Sequence, residues 1–185
     1  MPYTLIRGDT VAGKYQILFP GDSTLLSESY RAKDSTGETV RLELINLSRL
    51  SSSGFDAQGD VLQISLLSHI CQKNLPKLRA SGRVTIGGHQ FAYLVFDFVS
   101  GESLTDKMKR EGVFSLYSTV SIITELLEAV DYLHSLPDPI IHNSICPDTV
   151  LLDYSSGQEK PVRPVAKGCQ PASNCGWVAN FQRSS

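Results

Sequence analysis

Between residues 140 and 153 the chain reads IIHNSICPDTVLLD, a short stretch holding a histidine, a serine, a cysteine, a threonine and two aspartates. His142 is the side chain there whose ordinary pKa lies nearest neutrality, so it is the general-base candidate. Ser144 and Cys146 are the nucleophile types, but either needs a base partner, and the sequence reveals none for Cys146. Asp148 follows a proline and Asp153 ends an apolar run, so both are placed to reach solvent. A metal centre finds less support. His69, His89 and His134 share no ligand spacing with His142, and Cys169 and Cys175 lack two further ligands.

Composition narrows the partners. With 185 residues, 41% of them hydrophobic, the chain can bury one sizeable core. Seventeen basic against 19 acidic residues, with no long run of either sign, give no nucleic-acid footprint. The apolar stretches fall short of the roughly 20 residues that span a bilayer, and the N-terminal MPYTLIRGDTVAGKY lacks the pattern of a signal peptide. Four cysteines (Cys71, Cys146, Cys169, Cys175) at irregular spacings suit a reducing compartment. No membrane association and a cytoplasmic location are expected.

The elements that must position these residues follow from periodicity. GKYQILF, LSESYRAKD and TVRLELINL read as strands, the last alternating Val40, Leu42 and Leu44 against Arg41 and Glu43. A helix is expected over FDAQGDVLQISLLSHI, weakened at Gly59. KLRASGRVTI and QFAYLVFDFV are two further strands, the second apolar enough to lie inside a sheet. SGESLTDKMKREG predicts a short helix with Ser100 as its N-cap and Gly112 as its stop. LYSTVSIITELLEAVDYLHSL is the clearest helix, with Val120, Ile123, Leu126 or Leu127, Val130 and Leu133 as its apolar face. The last 25 residues, rich in proline, read as irregular or disordered.

This order of strings, from about Tyr15 to Asp153, resembles the eukaryotic-type Ser/Thr protein kinase fold. YRAKDSTGETVRLELI is similar to the second and third small-lobe strands, LQISLLSHICQKNLPKL to the regulatory helix and its exit loop. FAYLVFDFVSGESL is similar to the fifth strand and hinge, and LLEAVDYLHSLPDPIIHNSICPDTVLLD to the helix and catalytic loop of the large lobe. The resemblance implies an α+β fold: a five-stranded antiparallel sheet plus one helix, then the first helices of an incomplete large lobe. It divides the chain into an N-terminal extension (1–14), small lobe and hinge (15–99), partial large lobe (100–160) and tail (161–185).

That family transfers phosphate with a glycine-rich loop, a strand Lys paired to a helix Glu, two metal-binding positions and a catalytic Asp. The resemblance puts the three glycine positions on Asp22, Thr24 and Ser27, where side chains block the approach of phosphate to backbone N–H groups. The strand Lys falls on Glu43. At ~4 Å and an effective dielectric near 20, a carboxylate opposes a phosphate charge by about 4 kcal/mol. Arg41 stands where a small Ala underlies the base, and either fills the nucleotide cleft or leaves it. The helix Glu falls on Gln63, which either hydrogen-bonds Glu43 or is solvated with it. Ser144 replaces the catalytic Asp, Cys146 the loop Lys, Thr149 the metal-binding Asn and Ala166 the second metal-binding Asp. His142 is implied to be structural. Phe96, Asp97 and Val99 would line the hinge.

These substitutions lead to an expectation of a catalytically inactive, pseudokinase-like module, not an enzyme, that binds or regulates another protein. ATP and Mg²⁺ binding is expected to be absent, and no basic group answers for the strand Lys. The expected partner is a protein, or a second copy held through the helix at 118–135. Two alternatives stand beside this. One is a divergent Ser/Thr kinase with residual ATP binding that uses Asp22, Asp148 or Asp153; the other is a truncated, non-functional remnant.

Overall fold

The computed structural model describes residues 3–137, 139–142, 145–154 and 164–166. They fall into two compact units, the first made of 3–70 and 77–98, the second of 71–76 and 99 onward.

The first unit is an antiparallel sheet of β1 (Thr10–Val11), β2 (Tyr15–Ser23), β3 (Ser27–Lys33), β4 (Thr39–Asn46), β5 (Leu78–Ile86) and β6 (His89–Asp97), in the order β1-β2-β3-β4-β6-β5. The five expected strands are present, with two-residue β1 added at one edge. β6 lies between β4 and β5, as its apolar sequence required. One face of β4 sends Val40, Leu42 and Leu44 into a core with Ile17, Tyr30, Ala32, Phe91 and Val95. Arg41, Glu43 and Ile45 lie on the other face, by the two-residue alternation of a strand.

Residues 3–14, within the expected N-terminal extension, contribute Leu5 and Val11 to that core. The segment is fixed by polar bonds: Thr4 donates from both N and Oγ1 to the Glu28 carboxylate at 2.9 Å, and Leu5 N donates to Tyr30 Oη at 3.1 Å.

The expected helix over FDAQGDVLQISLLSHI shrinks to α1, Leu62–Leu67. Its first half is a turn instead. Asp56 Oδ1 accepts from the N–H groups of Gln58 and Asp60, and Gly59 sits at φ +82°, a conformation that stops a helix from starting there.

The second unit contains β7 (Gly101–Ser103), α2 (Leu104–Glu111), α3 (Leu116–His134), β8 (Val150–Asp153) and β9 (Pro164–Ala166), with strand order β7-β8-β9. Ser103, not Ser100, caps α2, accepting from Asp106 N at 3.1 Å, while Gly112 ends the helix at φ +75°. Within the stretch expected to be irregular, 164–166 pairs antiparallel with β8, where proline begins the strand and loses no interior ladder bond. Residues 161–163 and 167–185, the rest of the expected irregular tail, lie outside the described residues.

The packed face of α3 departs only in part from the expected one, keeping Leu126 and Leu133. Ile122, Ala129 and Leu133 are buried and Leu126 half-buried, whereas Val120, Ile123 and Leu127 are exposed. A tether fixes this orientation: Asn74 Nδ2 donates to Glu125 O at 3.0 Å, Cys71 N to Tyr132 Oη at 3.0 Å, and Lys73 pairs with Glu128 at 2.8 Å.

Candidate functional site

In the first unit, the β2–β3 tip carries Asp22, Thr24 and Ser27. It is a tight turn closed by its own polar groups. Thr24 N donates to Ser27 O at 2.8 Å, Leu26 N and Ser27 N donate to Thr24 Oγ1 at 3.3 and 3.0 Å, and Asp22 N donates to Ser29 Oγ at 2.8 Å. A phosphate cradle needs free N–H groups, and these four are engaged. Asp22 itself is exposed.

Glu43 is 1% exposed and faces Ser29 across β3 and Leu94 across β6. Neither carboxylate oxygen meets a donor at hydrogen-bond geometry. Arg41 Nη2 stands 3.8 Å from Oε2, and Nη2 is itself buried without a hydrogen-bond partner. Burial raises the Glu43 pKa; the Arg41 guanidinium and the Ser27 hydroxyl pull it back, and the Asp22 carboxylate pushes the same way as burial. Arg41, two residues earlier on the same strand face, lies folded against Glu43. The signal was present in the sequence as an R-x-E pair on an alternating strand, which places both ends of the pair on one face.

Gln63 is buried on α1 but makes no hydrogen bond to Glu43. Phe96 is buried opposite Arg41 on β6, and Asp97 takes one arm of Arg79, which also holds Glu38 at 2.7 Å. Val99, half-buried, belongs to the second unit.

In the second unit the IIHNSICPDTVLLD stretch folds into a turn and a strand. Thr149 Oγ1 accepts from Cys146 N at 3.1 Å and donates to Cys146 O at 2.9 Å, and Thr149 N donates to the same carbonyl at 2.9 Å. This turn feeds β8, which sits beside β7 at a close approach: a Cβ on Gly101 would lie 1.6 Å from Leu152 O. Cys146 is an exposed free thiol. His142 is buried, and burial lowers its pKa, which fits a neutral packed imidazole better than a base in solvent. Ser144 lies outside the described residues, as do Cys169 and Cys175; Ala166 ends β9.

The structure thus joins Arg41 with Glu43, and Thr149 with Cys146. Among the described residues no three His, Cys, Asp or Glu side chains are grouped to hold a metal. The donor set at the two metal positions does not fit one, since the Thr149 hydroxyl is committed to its own turn and Ala166 offers no oxygen. No helix among the described residues is long and apolar enough to cross a membrane.

Fold and site strings together define a kinase-type scaffold. A sequence model of the protein kinase domain family matches residues 30–163. The chain belongs to the protein kinase domain family, and its fold is that of the Ser/Thr protein kinases. It is 26% identical over 144 residues to the CBL-interacting serine/threonine-protein kinase 8 of Arabidopsis thaliana, covering 76% of this chain and 30% of that protein. It is 40% identical over 70 residues to the serine/threonine-protein kinase PknA of a Nostoc species, covering 38% of this chain and 12% of that one. The crystal structure of Rad53 1–466 in complex with AMP-PNP superposes with a TM-score of 0.67 at 20% identity, over 83% of this chain and 38% of that one. The chain therefore spans well under half the length of these relatives.

These matches correct the expectation that the chain is no enzyme. The relatives are named serine/threonine kinases, the family match runs through the catalytic-loop string, and no observation shows the chain inactive.

Proposed function

We propose that this chain forms the small lobe and the opening part of the large lobe of a serine/threonine protein kinase, and that within it α3 supplies a protein-binding, regulatory surface. One observation carries the reading. Leu116, Val120, Ile123 and Leu127 are 80, 55, 49 and 62% exposed, and their spacing of four, three and four residues lines them along one side of α3. A continuous apolar stripe of this kind marks a surface that another protein covers. The reading places the protein in the cytoplasm.

The test is sedimentation of the purified chain against a variant carrying serine at those four positions. The wild type should self-associate with rising concentration, and the variant should stay monomeric with an unchanged melting temperature. A wild type that is soluble and monomeric at high micromolar concentration would exclude the second copy as occupant; a chain insoluble under all conditions favours the remnant.

Phosphoryl transfer to Ser or Thr by this chain is the second reading, favoured by the relatives' names. Asp148, exposed in the 146–149 turn, and Asp153, half-buried at the end of β8, are its candidate carboxylates. Label transferred from ATP to a protein acceptor and abolished by Asp148→Asn or Asp153→Asn supports it. Transfer unaffected by both changes removes these residues from the reaction.

A further inference from the structure

We propose that the face of the β1–β6 sheet opposite Glu43 carries a docking site for a peptide segment that presents a carboxylate side chain beside an apolar one. The site goes beyond the kinase-domain reading and shares no residue with the Arg41–Glu43 pair or with α3.

A cavity of about 340 Å³ opens between the β2–β3 tip and the turn Leu47–Arg49 that follows β4, a size usual for ligand sites. Leu44 and Phe91 line it from the sheet, with Leu25, Leu26, Glu28 and Arg49 around them. Leu44 pairs with Glu28, and Phe91 with Asn46, so by strand alternation all four lie on the face away from Glu43. The N-terminal segment covers the adjoining part of that face, where Leu5 and Val11 pack with Tyr30 and Leu42, and its Thr4 forms one edge of the cavity.

The polar groups around the cavity set the chemistry of its occupant. A carboxylate has roughly four acceptor positions, and Glu28 has three donors on it: Thr4 N and Oγ1, both at 2.9 Å, and Tyr30 Oη. It has little left for a ligand cation. Arg49 is the reverse case. It is exposed, spends one N–H on Leu25 O at 2.7 Å, and meets no carboxylate among the described residues. A guanidinium has five N–H donors, and a carboxylate is a natural acceptor for its planar fork. The same bond fixes the guanidinium beside Leu25, whose side chain is 58% exposed. A cation held next to an open leucine complements a carboxylate next to an apolar group.

The experiment follows backbone amide shifts of the ¹⁵N-labelled chain during titration with the blocked tripeptide acetyl-Leu-Asp-Phe-amide. Acetyl-Leu-Asn-Phe-amide, which lacks the charge, and acetyl-Gly-Asp-Gly-amide, which lacks the apolar groups, are the controls. The first peptide should give saturable shifts at Leu25, Leu26, Asn46 and Phe91. Both controls, and the first peptide on Arg49→Gln, should bind at least about tenfold more weakly. Arg49 is exposed, so Arg49→Gln should keep the wild-type melting temperature, and Leu25→Ser provides a second variant with the same expected loss. Absence of shifts at millimolar peptide overturns the proposal. So does equal binding of the aspartyl and asparaginyl peptides, affinity unchanged in both variants, or shifts confined to α3 or to the Arg41 side of the sheet. The kinase-domain reading stands under every one of these outcomes.

Discussion

Arg41 Nη2 and Glu43 Oε2 lie 3.8 Å apart on one face of β4, with the two side chains 18 and 1% exposed. Buried pairs of this kind cost more to break than to replace, since removing one member strands the other charge out of water. Arg41→Leu alone should destabilise the first unit by about 3–5 kcal/mol, while Arg41→Leu with Glu43→Leu should be near neutral or more stable than wild type. Urea denaturation of the single and double variants measures both. Equal losses in the two would show that the pair contributes nothing.

Stability should respond to pH from both sides. The folded Glu43 pKa is raised above its ordinary 4.5, so the folded chain holds that proton more tightly than the unfolded chain. Its contribution is full below 4.5 and is lost as pH rises through the raised value. His142 runs the other way. Its folded pKa is lowered from 6.5 by burial, so its contribution is full above 6.5 and is lost as pH falls through the lowered value. Glu43→Gln should therefore weaken the loss on the alkaline side, and His142→Gln the loss on the acid side. Denaturation midpoints measured from pH 4 to 9 check each separately.

The β7–β8 contact tolerates no side chain at its start. A Cβ at Gly101 would meet Leu152 O at 1.6 Å, so Gly101→Ala must push the strands apart. The expected cost is about 1–3 kcal/mol, together with faster hydrogen exchange at Tyr154 N, which donates to Ser100 O at 2.8 Å. Unchanged exchange there would show that the strands yield without parting.

Two leucines on α3 separate its packed side from its open side. Leu133 is 1% exposed and Leu127 is 62% exposed. Leu133→Ala should cost about 2–5 kcal/mol and Leu127→Ala no more than about 0.5 kcal/mol. Comparable losses at both positions in a monomeric sample would place the packed face elsewhere.

Most of the element order is legible in the amino-acid pattern alone. Alternation made β4 and β6 legible because a strand with one buried face must repeat every second residue, and the apolar run of α3 was long enough to exceed any strand. The chemical identities at the site are legible there too: Glu43, Gln63, Cys146 and Thr149 are what they are whatever the fold. Which side of α3 is packed follows from long-range contacts, because apolar residues surround that helix and its period cannot choose between Ile122 and Ile123; the 71–76 tether chooses. The fold also decided that Asp56 and Gly59 make a turn where a helix was expected, a competition between local polar bonds and helical propensity. Above all it decided that Arg41 stays folded against Glu43. A long side chain can reach water or its neighbour equally well from a strand, and only the burial of Glu43 tips that balance.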